Sequence, residues 1–320
     1  MITHCATITC HTMHHEIDAK IRELACSLGF DACGMARAHQ VQDDVAQRYD
    51  HWIESGRNGC MQWTRNHRDL RNDPTLLLPG AKTVIVFAMN YYPGKMMPPG
   101  APQFACYAYG EDYHKVIRRK LKVISRYIED QTGENCRICV DSAPIHERYW
   151  ARVAGLGFIG LNNSLILPGK GSYYFLGIIL TTLELEPDKP CTQLCGNCRL
   201  CIDRCPTGAL SEGSPVDAGK CLSCLTIEYD GELPEWTAKA LGNRIYGCDT
   251  CQQCCPHNRH AAPTRVTEFQ PKAEFMNITH KQILSMTEDE FSHIFGKSAV
   301  KRAGLERLKR NLAAMEKHTK

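Results

Sequence analysis

The sequence predicts an α/β fold that is followed by a cysteine-rich region and a short helical segment. Helical and strand patterns alternate over roughly the first 190 residues, which is typical of an α/β layer. Ten of the 19 cysteines lie between Cys195 and Cys255, and helical patterns resume after Pro263. The predicted divisions are a disordered leader at 1–12 and domains at 13–187, 188–263 and 264–320.

Each element of the α/β part is predicted from hydrophobic periodicity. Gly29 and Gly133 are predicted to end the first and third helices, and Pro144 lies near the start of the fourth. The predicted helices are "EIDAKIRELACSLGF", "VQDDVAQRYDHWIESG", "DYHKVIRRKLKVISRYIEDQTG" and "APIHERYWARVAGLG". The predicted strands are "DACGMA", "KTVIVFAMNYY", "ENCRICVDS" and two more joined by a Pro-Gly-Lys-Gly turn in "NSLILPGKGSYYFLGIILTTLEL". The second of these strands is nearly all apolar, as expected for a sheet covered on both faces.

Composition limits the class of protein. The 320 residues are 43% hydrophobic and 23% charged, which is enough for a sizeable core. A formal net charge of +3 produces no strong overall field, so a polyanion would need local basic patches. The sequence shows no long apolar stretch and no export signal, so we expect a cytoplasmic protein that makes no membrane contact. We also expect the protein to be a monomer. In such a reducing compartment, clustered cysteines favour metal binding over disulfides.

The first cysteine run is "CGNCRLCIDRCP", with the spacing C-x2-C-x2-C-x3-C-P. This is the run of bacterial ferredoxins with two [4Fe–4S] clusters, in which the fourth cysteine binds the other cluster. Two C-x2-C pairs would also suit a structural zinc ion, but a zinc site does not need the C-x3-C-P ending. The region 188–263 is therefore predicted to be a ferredoxin-like domain with two clusters.

The second run, "GCDTCQQCCPHN", completes the pair of clusters. Pro256 marks Cys255 as the counterpart of Cys205, so Cys255 is expected to cross back to the first cluster. Cys248 and Cys251 then belong to the second cluster together with Cys205.

One ligand position of the second cluster is left, and three cysteines compete for it. Consecutive Cα atoms are only about 3.8 Å apart, so Cys254 and Cys255 would serve two different clusters in a tight geometry. Cys221 is therefore favoured over Cys254 and Cys224, and Cys254 becomes a spare thiol.

Several segments together resemble the epoxyqueuosine reductase family, whose members reduce an epoxide on a modified base of tRNA with two [4Fe–4S] clusters and a cobalamin. The segments are "YGEDYHKVIRRKL", "VDSAPIHERYWARVAGLGFIGLNNSLILPGKGSYYFLGIILTTLELEPD", "CGNCRLCIDRCPTGAL", "CLSCLTIE" and "GNRIYGCDTCQQCCPHN". The resemblance implies one cluster held by Cys195, Cys198, Cys201 and Cys255, and another held by Cys205, Cys221, Cys248 and Cys251. Cys224 and Cys254 depart from the family pattern, which is often aromatic at the first position and usually apolar at the second.

Asp141 is the candidate catalytic residue. It follows a predicted buried strand, and ligands of open α/β sheets bind at the carboxyl ends of strands. The alternative is that Asp141 only caps the following helix. The resemblance implies that Asp141 is the proton donor, and this role predicts a raised pKa for its carboxyl group.

Cobalamin is implied by the resemblance alone. The D-x-H-x-x-G signature of a cobalt-binding histidine is absent, because the related stretch at Asp112 has Ile117 in place of glycine. The resemblance implies a cofactor held base-off without an axial histidine, and the missing signature agrees with this. The residues placed beside it by resemblance are Asp141, Asn163, Ser223 and Asp249.

Reduction of an epoxide to an alkene and water consumes two electrons and two protons. The clusters are expected to pass single electrons to cobalt after receiving them from an external low-potential donor. The tRNA partner is expected to bind basic patches at 114–122 and 297–310. The residues predicted to contact it in the second patch are Lys301, Arg302, Arg307, Lys309 and Arg310.

Two other functions fit parts of the sequence. An electron-transfer module would use the clusters, but it has no need of a large α/β domain. A reductive dehalogenase also pairs clusters with a corrinoid, but such enzymes typically carry a twin-arginine signal, which this sequence lacks.

Overall fold

The computed structural model describes the backbone of residues 3–316 and the side chains of residues 15–316. The helices are α1 Thr3–Ser27, α2 Asp43–Glu54, α3 Arg68–Asn72, α4 Tyr113–Thr132, α5 Glu147–Val153, α6 Leu200–Asp203, α7 Leu222–Ile227, α8 Thr237–Leu241, α9 Thr250–Gln253, α10 Ala273–Met276, α11 His280–Ser285, α12 Glu288–Phe295 and α13 Leu305–Glu316. The strands are β1 Ala32–Arg37, β2 Thr83–Asn90, β3 Gln103–Phe104, β4 Cys136–Cys139, β5 Phe158–Ile159, β6 Leu165–Ile166, β7 Tyr174–Thr181 and β8 Arg244–Tyr246.

The main sheet has the strand order β1-β2-β7-β4, and every pairing in it is antiparallel. The sequence analysis placed Asp141 at a ligand site by a rule for open sheets of parallel strands. This sheet has no adjacent parallel strands, so that rule does not apply to it. β2 and β4 nevertheless run in the same direction on either side of β7, so their carboxyl ends lie at the same edge. Asp141 follows β4 at this edge.

Both faces of the main sheet are covered, as the apolar composition of β2 predicts. Ile85, Phe87 and Met89 belong to the core cluster that contains α1 and α4. Val84 and Val86 belong to a second core cluster, on the α5 side. Period-two alternation sends successive side chains of β2 to opposite faces, and all eight of its residues are buried. The mixed α/β architecture is confirmed.

Helix α1 begins earlier than the sequence suggests: its backbone is helical from Thr3, whereas the sequence indicates a start near Met13. Neither glycine nor proline occurs between Thr3 and Ser27, so no residue in this stretch interrupts helix propagation. The predicted disorder of residues 3–12 is thus not the conformation in the structure. Residues 1 and 2 and the side chains of residues 3–14 lie outside the described residues. The sequence also offers a candidate metal-binding group in Cys5, Cys10, His11, His14 and His15, of which only the His15 side chain is described.

Two local predictions differ from the structure. Pro144 precedes α5 instead of lying inside it, because the helix begins only at Glu147. The turn at 168–171 joins strands of different sheets: β6 pairs with β5, whereas β7 pairs with β2 and β4. The turn is closed by a bridge between Leu167 and Gly171.

The C-terminal helices pack against the main core. Phe275, Phe295 and Leu308 are fully or almost fully buried in the cluster that contains α1 and α4. The parallel pair β3–β8 also joins the α/β part to the cysteine-rich region. Gly296 follows the last residue of α12. None of the helices within residues 3–316 is both long enough and apolar enough to cross a bilayer.

Gly34 of β1 predicts a stability effect. A Cβ atom at this position would overlap the backbone carbonyl oxygen of Ala154, which ends α5. Gly34→Ala is expected to lower the free energy of unfolding by about 1–3 kcal/mol, because the helix end must move away from the sheet. Urea unfolding would measure this loss. Gly100→Ala is the matched control, since nothing lies within 4 Å of its Cβ position; equal stability losses in both variants would contradict the prediction.

Candidate active site and cluster ligands

Asp141 is held in an unusual backbone conformation at the end of β4. Its φ angle of 51° lies in the left-handed region, which non-glycine residues adopt infrequently. Its Oδ2 atom lies 2.8 Å from Nε2 of His114, and its side chain remains 51% exposed. The carboxylate is thus fixed by a partner while one side of it stays accessible.

His114 lies in the first turn of α4 and is bound at both ring nitrogens. Nδ1 lies 2.6 Å from Oδ1 of Asp112, which also caps the helix by accepting the backbone N–H of His114. Burial would lower the pKa of His114, but its hydrogen bonds to Asp112 and Asp141 outweigh burial and raise this pKa. Each ring nitrogen of His114 therefore lies within hydrogen-bond distance of one carboxylate oxygen.

The Asp141 carboxyl group does not have the raised pKa that a permanently protonated acid requires. Burial alone would raise its pKa, but the hydrogen bond and positive charge of His114 outweigh this effect, and the pKa is lowered. The sequence-based expectation of a raised pKa was wrong for this state, because His114 was not recognised as a partner. The lowered pKa of Asp141 and the raised pKa of His114 both favour the charged form of the pair.

Two further groups contact Asp141. The backbone N–H of Asp141 donates to Oε1 of Glu147 over 2.7 Å. Burial, together with the negative charge of Asp141, raises the pKa of Glu147 to about 8. The pKa of Tyr113 is also raised, mainly by burial and then by Asp141, so its hydroxyl stays protonated and donates to the Asp141 carboxylate.

The C-terminal part of the chain also reaches this site. Arg302, in a short 3-10 turn, places a guanidinium nitrogen 3.1 Å from Nε2 of His114. Glu228 follows α7, and its pKa is raised by burial and by the charge of Asp141. Segments distant in sequence therefore meet around Asp141.

The first predicted ligand set lines one cavity. Cys195, Cys198, Cys201 and Cys255 surround it, and Leu161 and Ile166 are among the apolar residues that close it. The backbone N–H of Leu161 donates to the Cys195 sulfur over 3.5 Å. Four sulfurs around one enclosed, largely apolar space fit a [4Fe–4S] cluster, which is held by four thiolates.

The second predicted ligand set consists of thiols whose charges raise one another's pKa values. Burial raises the pKa of Cys221, and the charges of Cys248 and Cys205 raise it further. Burial also raises the pKa of Cys251, as do Cys248 and Cys221. These four thiols lie close enough to interact, as a shared cluster requires.

The two cysteines left over by the prediction lie near the ligand sets, because the charge of Cys254 raises the pKa of Cys201 and that of Cys221 raises the pKa of Cys224. Cys254 is not among the residues that line the first cavity, and its thiol is directed toward the Cys251 carbonyl oxygen over 3.7 Å. Cys224 is buried on α7, where its sulfur faces Cys60.

The residues predicted to lie beside cobalamin are dispersed. Asn163 also has a left-handed φ of 60° and lines a cavity of about 430 Å³ next to the segment leading to Cys195. Asp249 is buried and accepts the backbone N–H of Cys106 over 2.7 Å, so one of its oxygens already has a partner. No hydrogen bond within residues 15–316 joins Ser223 or Asp249 to Asp141.

Among the described residues around Asp141, no histidine has a ring nitrogen free to bind the cobalt of a corrinoid. Both ring nitrogens of His114 face carboxylates, so this histidine offers no free lone pair. The cavity lined by Asn163, of about 430 Å³, lies in the lower half of the size range of small-molecule sites.

Some of the predicted tRNA-binding side chains in the C-terminal patch already form hydrogen bonds within the protein, and others are exposed. Arg307 is bound to the Ile227 carbonyl and to Asp230, and Arg310 is bound to the carbonyl oxygens of 225, 229 and 231. These two arginines attach α13 to the segment after α7. Lys309 donates to the Met286 carbonyl, whereas Lys301 is exposed.

Two family models match the chain. Residues 71–142 match the model described as "Epoxyqueuosine reductase QueG, DUF1730", and residues 194–258 match the model described as "4Fe-4S double cluster binding domain". The first match contains Asp112, His114 and Asp141. The second contains both ligand sets and supports iron–sulfur clusters over a structural zinc ion.

Relatives match over nearly the whole chain. Epoxyqueuosine reductase of Cellulophaga algicola is 40% identical over 293 residues, which cover 91% of this chain and 95% of the relative. A crystal structure of epoxyqueuosine reductase with an epoxyqueuosine-modified tRNA-Tyr stem loop superposes with a TM-score of 0.87 and 31% identity. A structure of the Bacillus subtilis enzyme, described with its catalytic aspartate loop swung out of the active site, gives a TM-score of 0.88 and 30% identity. Each structural match covers 95% of this chain and 82% of the other.

Proposed function

This chain belongs to the epoxyqueuosine reductase family, and on that premise we propose that it reduces epoxyqueuosine to queuosine in tRNA through Asp141, two [4Fe–4S] clusters and cobalamin. The epoxide accepts two electrons and two protons and becomes an alkene, while its oxygen leaves as water. The observation that carries the proposal is the Asp141–His114 pair at the edge of the main sheet, in the same chain as two sets of four cysteines.

Asp141 delivers the first proton in this proposal. As negative charge develops on the departing oxygen, the proton held between His114 and Asp141 moves to that oxygen. Asp112 and Asp141 retain negative charge around the ring, which favours return of a proton to His114. The left-handed conformation of Asp141 is supported by Glu147, which accepts its backbone N–H. A loop of this kind is consistent with the mobile catalytic aspartate loop of the Bacillus subtilis relative.

Electrons reach this region from the cysteine-rich domain. Helix α7 begins directly after Cys221 and ends before Glu228, whose charge interacts with Asp141. A helix of its six residues is about 9 Å long, so Cys221 and Glu228 lie about one short helix apart. An external donor of low potential would supply the electrons one at a time.

Cobalamin would be held base-off, with Asp141, Asn163, Ser223 and Asp249 as the candidate neighbours. The chemistry that a bound cobalamin supplies is delivery of electrons to an epoxide carbon. The residues of this chain orient the substrate, exclude water from the cluster cavity and provide protons. A cytoplasmic monomer that makes no membrane contact remains our expectation.

The tRNA is proposed to approach from the C-terminal side. Lys297, Lys301 and Arg302 are the exposed basic residues of the second patch, and Arg302 reaches His114. Arg307, Lys309 and Arg310 support this surface by fixing α13, although they remain part of the predicted contact set. The structure of a relative with a modified tRNA stem loop supports this class of substrate.

The direct test is nucleoside mass spectrometry on tRNA that contains epoxyqueuosine. The tRNA is incubated anaerobically with reconstituted protein, cobalamin and a strong reductant. Cobalamin-dependent loss of one oxygen from the nucleoside is the expected result. Unchanged nucleoside, with complete iron and sulfide content, would contradict the proposal and leave electron transfer or dehalogenation as the function.

His114 predicts a pH dependence of the same reaction. Its pKa is raised above the usual value of about 6.5, so the proton is present at low pH and is lost as pH rises through the raised pKa. Wild-type turnover is expected to fall on the alkaline side. His114→Asn is expected to reduce turnover by about 10²-fold and to remove this fall, because the titrating group is gone.

The matched control for His114 is His293, whose side chain is exposed on α12 and pairs with Glu274. His293→Asn is expected to keep the wild-type rate and pH profile. An unchanged alkaline fall in His114→Asn would assign the titration to a different group.

A further inference from the structure

Cys60 and Cys224, which belong to neither ligand set, face each other across two parts of the fold. Their sulfur atoms are 3.4 Å apart, although the residues are 164 positions apart in sequence. A disulfide bond is about 2.05 Å long, so small rotations of the two side chains would bring the sulfurs together. The pair is packed in an apolar cluster with Trp52, Ile53 and Ala218.

The backbones that carry the pair are fixed to one another. The Trp52 indole N–H donates to the Val216 carbonyl over 2.7 Å, and the Ala218 N–H donates to the Arg57 carbonyl over 2.7 Å. Gly59, with a φ of 56°, passes so close to residue 219 that a Cβ atom would lie 2.7 Å from its backbone nitrogen. The short sulfur–sulfur distance is therefore set by several contacts on both sides.

We propose that Cys60 and Cys224 form a reversible disulfide in response to a peroxide. Cys60 is half-buried and Cys224 is buried, so a small oxidant reaches Cys60 first. Hydrogen peroxide oxidises the Cys60 thiol to a sulfenic acid and releases one water. The Cys224 sulfur then attacks the Cys60 sulfur, the disulfide forms, and the hydroxyl group leaves as a second water.

Electrons and atoms balance in this sequence. The two thiols together lose two electrons and two protons, and these reduce one peroxide molecule to two waters. A dithiol reductant reverses the bond by thiol–disulfide exchange. No cluster, cobalamin or tRNA takes part, so the pair does not depend on the reaction proposed above.

The disulfide is expected to restrict movement of α7. Cys60 belongs to the loop after α2, whereas Cys224 belongs to α7, which begins next to Cys221 and ends next to Glu228. The disulfide would attach α7 covalently to the α/β part. It would hold both a predicted cluster ligand and a residue beside Asp141 in their places during oxidative conditions.

The test uses full-length protein with its clusters, prepared without oxygen and treated with equimolar hydrogen peroxide. Free thiols are alkylated, and peptides are analysed by mass spectrometry. A peptide pair linked through Cys60 and Cys224 is expected, and it should disappear after treatment with dithiothreitol. It should also be absent from Cys60→Ser and from Cys224→Ala, whereas Cys26→Ser, which removes an exposed cysteine elsewhere, should retain it.

Iron content measured on the same samples separates this bond from cluster damage. The linked peptide is expected in protein that has kept its iron. Alkylation of both cysteines as separate thiols, oxidation of Cys60 without a linked peptide, or a link found only in iron-depleted protein would each overturn the proposal.

Discussion

Cys255→Ser is expected to remove one of the two clusters, whereas Cys254→Ser leaves both in place. Cys255 lines the first cavity together with Cys195, Cys198 and Cys201, and Cys254 does not. Serine is a poor ligand for iron compared with a thiolate, so a set with one serine is expected to lose its cluster. Iron and sulfide analysis of anaerobically reconstituted protein should therefore give about half of the wild-type content for Cys255→Ser.

The adjacent residue makes this comparison a matched pair, because both variants change the same atom at neighbouring positions. Loss of iron in Cys254→Ser, with full iron content in Cys255→Ser, would mean that Cys254 is the cluster ligand and Cys255 is the spare thiol. Cys224→Ser extends the comparison to the other cysteine that departs from the family pattern, and full iron content is expected there as well. Electron paramagnetic resonance of the reduced proteins would show whether one or two clusters remain.

Asp141→Asn is expected to lower turnover of epoxyqueuosine-containing tRNA by about 10²–10⁴-fold, which is the usual contribution of a positioned general acid. The amide keeps the size of the side chain but cannot deliver the proton that His114 shares with Asp141. Iron content should be unchanged, because Asp141 belongs to no ligand set. Single-turnover assays by nucleoside mass spectrometry, with iron measured on the same preparation, would check both statements.

Asp44→Asn is a suitable control because this carboxylate lies on the exposed surface of α2. Turnover near the wild-type level is expected for it. If Asp141→Asn also retained such turnover, the acid would have to be another group, and Glu147 would be the first candidate because its raised pKa keeps it largely protonated at neutral pH.

The sequence by itself determined the elements whose signals are local. The apolar run of β2, the helical spacing of Ile17 and Ile21, and the glycine that ends α4 each depend on neighbouring residues, and each is found in the structure. The cysteine spacing also identified a double-cluster region, because the gaps between ligands reflect how one short segment folds around a cluster. These features could be recognised without any knowledge of distant contacts.

The tertiary structure alone decided how the candidate acid is held. The partners of Asp141 come from α4, from α5, from the segment after α7 and, through His114, from the turn that contains Arg302. Their spacing in sequence carries no signal of contact, so the sequence suggested a raised pKa where His114 lowers it. The antiparallel order of the sheet and the facing thiols of Cys60 and Cys224 were likewise hidden. Periodicity records which side of an element is buried, whereas the partner on that side is chosen only when distant segments pack together.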